Sequence, residues 1–280
     1  MYTRIVLASF LLFFSFASNS SQNKWNNDLD DSTWLFKGNA HQCKISQDID
    51  GFGMVSLINN AGESLSLHIK SNEIDSATKY VGMNAIPASW ERFKPYKIKG
   101  LGKITLSPLT GEMVIADAAP ILDLLHRGDW FELSLSVAGQ VTLVDVSNVR
   151  FPAAVAAFLD CKNQLLPMSY RQVRDSTFYL SPFSTELTTE EWYRIDGIVK
   201  YIKSQRNIKA VLVDGYMNSH QRDSMKLRQS KEMADEVASL FVEKGIAPSL
   251  IEVRAHGGRY PKEEGQPASK GRVRVRIVQL

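Results

Sequence analysis

The stretch TTEEWYRIDGIVKYIKSQRNIKAVLVDGYMNS, Thr188–Ser219, decides the fold of the second half of the chain. Thr188-x-x-Glu191 is a capping box, in which the hydroxyl and the carboxylate accept from otherwise orphaned backbone N–H groups. It opens a helix that places Trp192, Ile195, Val199 and Ile202 on one face and runs to about Gln205. Ile208–Asp214, with Ala210-Val211-Leu212-Val213 at its centre, is a short apolar run and reads as a strand. Working outward, Ser224–Lys244 is a second long helix with Met233, Val237, Leu240 and Phe241 facing inward. Gly245 stands where a helix-terminating glycine belongs, and Pro248 follows. Leu250–Val253 and Gly271–Val278 are further strands, and Phe178-Tyr179-Leu180 within Ser176–Ser181 supplies one upstream. The order β-α-β-α-β-β predicts an α/β sandwich over 175–280, with strands joined by helical crossovers.

The first half has another rhythm. Leu65, Leu67 and Ile69 alternate with polar residues, as do Phe131, Leu133, Leu135 and Val137. A period of two marks half-buried strands. In Val141–Val146, Val144 and Val146 share a face with Thr142. Ala138-Gly139 reads as the turn of a hairpin joining the last two strands. Short helices are expected at Ala119–His126, with Pro120 near its start, and at Pro152–Leu159, just before Cys161. The whole is an α+β chain. A β-rich, barrel- or sandwich-like domain with short helices is expected over 22–161, and a linker containing Pro167 over 162–174.

Composition narrows the class. The chain has 280 residues and a formal net charge of +3, which does not point to nucleic acid. Residues 162–280 hold 20 Lys+Arg against 14 Asp+Glu, whereas residues 1–161 hold 13 against 16. Such a change of sign fits two domains with different partners. Arg4 followed by the apolar run Ile5–Phe16, with Ser15 and Ala17 as small residues, reads as a cleaved secretory signal over 1–17. Its twelve apolar residues would span only about 18 Å as a helix, too short for a bilayer core of ~30 Å. No later stretch is apolar and long enough to cross, so no transmembrane segment is expected in the mature chain. An exported chain with two cysteines, Cys43 and Cys161, favours one disulfide; two buried free thiols are the alternative. His41-Gln42-Cys43 has no partner pair at metal-ligand spacing. No G-x-S-x-G, H-E-x-x-H or P-loop is present, and His220 and Asp223 beside Ser219 and Ser224 read as a hydrated loop. The expectation is a non-enzymatic protein with no cofactor.

Four stretches of the second half, VLVDGYMNS (Val211–Ser219), QSKEMADEVASLFVEKGI (Gln229–Ile246), IEVRAHGGRYP (Ile251–Pro261) and GRVRVRI (Gly271–Ile277), together resemble the OmpA-like peptidoglycan-binding family. In the first half, WLFKGNAHQCKI, DGFGMVSL, IPASWERFKPY (Ile86–Tyr96) and FPAAVAAFLDCKNQLL (Phe151–Leu166) resemble the MotY family of the sodium-driven flagellar motor. The resemblance implies a disulfide tying the β-rich domain to the start of the OmpA-like domain. It also implies a place in the periplasm of a Gram-negative bacterium, in the T ring around the flagellar basal body. The implied partners are a MotX-like protein, the basal body, a stator complex of the PomA/PomB type, and peptidoglycan. A general wall-associated envelope protein with no motor role is the alternative.

The OmpA-like family recognises the diaminopimelate of wall peptides with an Asp carboxylate and, fifteen residues on, an Arg guanidinium. The corresponding positions here are Asn218 and Met233, so both charges are replaced. An amide and a thioether cannot balance a zwitterion, and weakened peptidoglycan binding is expected. Arg222, Arg228 and Lys231 as cations, and Asp214 and Asp223 as anions, are nearby substitutes. Arg272, Arg274 and Arg276 alternate with Val273, Val275 and Ile277 and would form a cationic stripe, as a solvated strand face or as an auxiliary surface for an acidic ligand. His256 replaces a family Tyr before Gly257, with a structural role expected.

Overall fold

The computed structural model describes residues 23–180, 187–217, 221–260 and 271–280. The expected signal segment 1–17 lies outside the described residues, as do Asn218, Ser219 and His220. In chain order the strands of the first half are β1 (Asn23–Trp25), β2 (Trp34–Gly38), β3 (Gln42–Ile49), β4 (Gly53–Asn60), β5 (Ser66–Ser71), β6 (Lys79–Ile86), β7 (Tyr96–Lys97), β8 (Ile104–Ser107) and β9 (Glu112–Ile115). Helix α1 (Ala119–Arg127), β10 (Trp130–Val137), β11 (Gln140–Val146) and α2 (Phe151–Asn163) follow.

Alternation dictates how these strands pack. One antiparallel sheet has the order β2-β3-β4-β5-β9-β8, and a second has the order β1-β11-β10-β6-β7. Ile45, Val55, Leu57, Leu67 and Ile69 of the first meet Met83, Phe131, Leu133, Val144 and Val146 of the second in one buried cluster. That arrangement is a β-sandwich. Thr142 is buried beside Val144 and Val146, the face that the sequence assigns to it. Ala138 and Gly139 both take positive φ, at 48° and 84°, which matches the twist of a two-residue hairpin. Helix α2 runs four residues beyond the expected Leu159, because Asp160–Asn163 continue its last turn. Cys161 therefore lies within the helix and not after it, and it is bonded to Cys43 at the start of β3, with the Cα atoms 6.0 Å apart.

The stretch 162–174 is ordered. After α2 ends, Leu166 N–H donates to Ala40 O at 2.9 Å, and α3 (Tyr170–Val173) carries a capping box from Ser169 and Gln172. The second half then comprises β12 (Asp175–Leu180), α4 (Thr189–Ser204), β13 (Ile208–Tyr216), α5 (Asp223–Glu243), β14 (Ile251–Ala255) and β15 (Gly271–Gln279). The sheet order is β12-β15-β13-β14, with β13 and β14 parallel and the other neighbours antiparallel. Val211, Val213, Val273, Val275 and Ile277 face Ile195, Ile198, Val237 and Phe241 of the two long helices in a second buried cluster. Thr188 accepts from Glu191 N–H at 3.2 Å, so the capping box forms as read. Trp192 is a correction to the sequence reading: it is 39% exposed, with Lys244 Nζ 5.0 Å above its ring. A tryptophan at the first turn overhangs the core, and its large ring is covered by a cation instead.

Candidate functional site

Of the two positions of the site expected from sequence, Asn218 is outside the described residues; the described chain before it ends where β13 runs out toward α5. Gly215 is required there, because a Cβ would strike the Ser230 carbonyl of α5. Beyond it, His256 N–H donates to Gly215 O at 2.9 Å and Met217 N–H donates to Gly257 O at 2.8 Å. The turn after β14 is pinned from the other side as well. Gly257, at φ 53°, donates its N–H to the buried Ser230 Oγ at 3.0 Å. These bonds form a cleft of about 420 Å³ between the first turn of α5 (Asp223, Ser224, Leu227) and the turn His256–Arg259.

Met233, at the family's arginine position, does not line that cleft. It is 2% exposed, and its thioether packs so closely under Gly271 that a Cβ there would collide with it. An arginine at 233 would have to displace that packing. Of the other charges singled out in the sequence, Arg228 pairs with Glu232 at 3.5 Å and Lys231 with Asp235 at 2.6 Å along α5. Asp223 is held by Lys226 at 3.0 Å.

The sheet face away from the helices carries the arginine stripe, and its charges are engaged. Arg274 and Arg276 both reach Asp175, at 3.1 and 3.0 Å. Arg272 is 4% exposed and lies over the Tyr216 ring at 4.3 Å. Burial pushes the Asp175 carboxyl up, but hydrogen bonds from Arg276 and Arg174, with the neighbouring charge of Arg274, hold it below the usual carboxylate value.

One feature escapes sequence reading. Asp214 is buried in the middle of this face, where its register partner on β14 is Arg254. The guanidinium makes two hydrogen bonds to the carboxylate, both 2.7 Å, and His256 Nε2 makes a third contact at 2.8 Å. Burial alone would raise the Asp214 carboxyl; the hydrogen bonds from Arg254 and His256 and their charges outweigh it and lower it. The His256 ring stacks on Tyr216 at 4.8 Å and meets Tyr260 edge-on at 5.4 Å. His256 thus has the structural role expected of it and also forms a wall of the cleft.

Together these features define a class: a β-sandwich joined through a disulfide-braced helix to an OmpA-type α/β sandwich. The chain belongs to the MotY family, a structural, non-enzymatic family. The MotY N-terminal domain matches residues 25–167, and the OmpA family matches residues 181–275. Sodium-type flagellar protein MotY of Vibrio parahaemolyticus is 23% identical over 245 residues, covering 85% of this chain and 83% of its own length. Among solved structures, the peptidoglycan-associated lipoprotein of Burkholderia pseudomallei is 16% identical with a TM-score of 0.33, over 36% of this chain and 89% of that one. The periplasmic domain of Helicobacter pylori MotB is 14% identical with a TM-score of 0.30, over 38% of this chain and 77% of that one.

Proposed function

We propose that the chain is a periplasmic structural component of a flagellar motor, seated in the T ring with a MotX-like partner around the basal body, where it helps to recruit or anchor the stator. The observation that carries this reading is the MotY N-terminal match over residues 25–167, fused to an OmpA-family half. The sandwich supplies the ring contacts, and Trp34–Tyr96 is the segment assigned to them. Leu35 and Trp90 in that segment are 66% and 61% exposed, an unusual placement for large apolar side chains that suits a partner surface. The α/β half supplies attachment to peptidoglycan through the end of β13, in a weakened form because the positions 218 and 233 carry no charge. Wall attachment and ring attachment are well separated. The nine residues of β13, from Ile208 to Tyr216, span roughly 26 Å at ~3.3 Å per residue; Asn207, just before them, shares a cleft with His41 and Asn60 of the first half, and Tyr216 at the other end stacks on His256. Deleting the gene is expected to leave flagella assembled and cells poorly motile, with the protein co-purifying with basal bodies. Normal swimming in a clean deletion lacking any second copy would favour the general envelope role instead.

A further inference from the structure

Positive charge in the first half is concentrated in one place. Residues 92–103, RFKPYKIKGLGK, hold Arg92, Lys94, Lys97, Lys99 and Lys103 and no carboxylate. Residues 1–161 hold 13 Lys+Arg against 16 Asp+Glu, so without these five the half has eight against sixteen. Like charges gathered this closely repel one another, which is a cost to the fold rather than a support of it. The fold nevertheless fixes them as a ridge. β7 is the outer strand of one sheet and β8 the outer strand of the other, and residues 98–103 carry the chain between them. Ile98 N–H donates to Met83 O at 3.0 Å and Gly102 N–H donates to Ala116 O at 2.8 Å, which anchors the crossing beside each sheet. Ile98 is buried and Leu101 packs against the same core, so Lys97, Lys99 and Lys103 are left on the outside, exposed. Arg92 and Lys94 are exposed on the approach to β7. Among the described residues none of the five side chains is in an ion pair. Two carboxylates flank the ridge, Glu91 in sequence and Asp117 against Gly102. Aromatic rings stand among the cations. Trp90 is exposed but meets Trp130 edge-on at 5.9 Å, and Trp130 Nε1–H donates to the Asn148 side chain at 2.9 Å. Phe93 lies 5.9 Å from Tyr96, which is exposed on β7.

We propose that this edge of the sandwich is a docking surface for an anionic phospholipid bilayer, with Trp90, Phe93 and Tyr96 entering the headgroup region and the five cations lying against its charge. Charge complementarity selects an anionic partner, and the kind of cation selects among anionic partners. Protein interfaces are enriched in Arg, whose planar fork fits a particular carboxylate, and depleted in Lys. Four of the five cations here are Lys. An anionic bilayer attracts Lys and Arg alike through its surface potential, without a fitted site, and Trp and Tyr favour its headgroup boundary. The ridge also leaves room for the ring contacts. Leu35 lies on β2, the outer strand at the opposite edge of the six-stranded sheet from β8. Trp90 then belongs to the lipid-facing edge, and the β2 edge remains for the ring. This assignment rests on export to the periplasm, which two membranes enclose, and not on the motor role.

The test uses the exported chain, free of the apolar segment 1–17, in sedimentation with vesicles. One set is made of equal parts of phosphatidylethanolamine and phosphatidylglycerol, and the other of phosphatidylcholine alone. The parent should bind the anionic set and not the neutral one, and binding should fall steeply as salt screens the charges. Arg92→Gln combined with Lys94→Gln, Lys97→Gln and Lys99→Gln should lower partitioning about a hundredfold or more, at about fivefold for each cation. Trp90→Ala should lower it several-fold and keep the salt dependence. Lys200→Gln combined with Arg206→Gln and Lys209→Gln, exposed in the second half, should bind as the parent does. All these side chains are exposed, so thermal midpoints should stay unchanged. A parent chain that does not bind anionic vesicles at low salt, or equal losses in the two sets of cation variants, would overturn the lipid assignment. No vesicle binding, with a four-cation variant that no longer co-purifies with basal bodies, would give the ridge to an acidic protein partner instead. Vesicle binding that this variant loses while it still co-purifies with basal bodies supports the lipid surface and leaves the ring reading standing. Vesicle binding by a parent chain that never co-purifies with basal bodies keeps this surface and removes the ring reading.

Discussion

Asp214 illustrates how one buried residue controls the second half. Its carboxylate is removed from water and compensated by Arg254 and His256, so its protonation is opposed in the folded state. A carboxyl held below its unfolded value adds stability that is fully present above that value, about pH 4, and is lost as pH falls through the folded value. Stability should therefore decline from about pH 4 downward. Asp175, lowered for the same kind of reason, acts in the same direction. Asp214→Asn should cost about 1–3 kcal/mol near pH 7, by leaving the Arg254 charge without its partner. It should also flatten the acid limb. Urea midpoints of parent and variant between pH 7 and 2 measure both effects, and parallel curves would show that Asp214 carries no linkage. The sequence placed Asp214 among the nearby anions but could not show its partner. The two residues are 40 apart and meet only because β13 and β14 are parallel neighbours in a particular register. Met233 is the reverse case. Spacing identified it as the family position, whereas its burial under Gly271 depends on a strand that returns from far downstream.

At the level of elements, legibility followed local chemistry. β10, β11 and the hairpin between them were readable because alternation and a glycine turn are encoded within a few residues. Helix α4 was readable from its capping box, and α5 from its period and Gly245. The end of α2 was not, since nothing in Asp160-Cys161-Lys162-Asn163 announces whether the helix stops. That extension matters, because it makes Cys161 part of a rigid element and lets the disulfide fix α2 against β3. Gly38 serves the same contact, since a Cβ there would crowd the Cys161 sulfur. Closing a loop of 118 residues removes denatured-state entropy worth about 4–5 kcal/mol on the chain-entropy model, an upper guide. Cys43→Ala with Cys161→Ala should lower the unfolding midpoint of the first half by several degrees or more. Addition of reductant should shift the parent chain toward the variant and leave the variant unmoved. Full thiol labelling of the native protein without reductant would show that the bond is absent in solution.

At the scale of the whole molecule, the function proposed depends on how firmly the two halves are joined. Among the described residues the contacts between them include hydrogen bonds, an ion pair and an aromatic contact. Leu166 N–H donates to Ala40 O at 2.9 Å, Gln172 Nε2 donates to Gly62 O at 2.9 Å, and Gln205 Nε2 meets His41 Nε2 at 2.9 Å. His41 also meets Tyr201 edge-on at 5.9 Å, and Tyr201 stacks on Tyr170 at 5.8 Å. Arg171 and Glu63 lie 3.5 Å apart, but their side chains are 88% and 40% exposed, and such pairs contribute little. At about 1 kcal/mol for each hydrogen bond and a similar amount for the aromatic contact, the junction is worth a few kcal/mol. That is enough to hold one orientation in most molecules, and little enough for two substitutions to release it. Gly62 explains why the fit is close, since any side chain there would strike the Gln172 amide. His41→Ala combined with Gln172→Ala should therefore leave both cores intact, with far-ultraviolet circular dichroism and urea midpoints within about 1 kcal/mol of the parent. It should increase the radius of gyration in small-angle scattering and expose the 162–174 stretch to limited proteolysis. If a wall-facing cleft and a ring-facing sandwich must be held apart to anchor a stator against torque, the same variant should swim more slowly while still reaching the basal body. Unchanged scattering and unchanged swimming would show that the chain connection and the Leu166–Ala40 backbone bond hold the two halves together without the side-chain contacts across the junction.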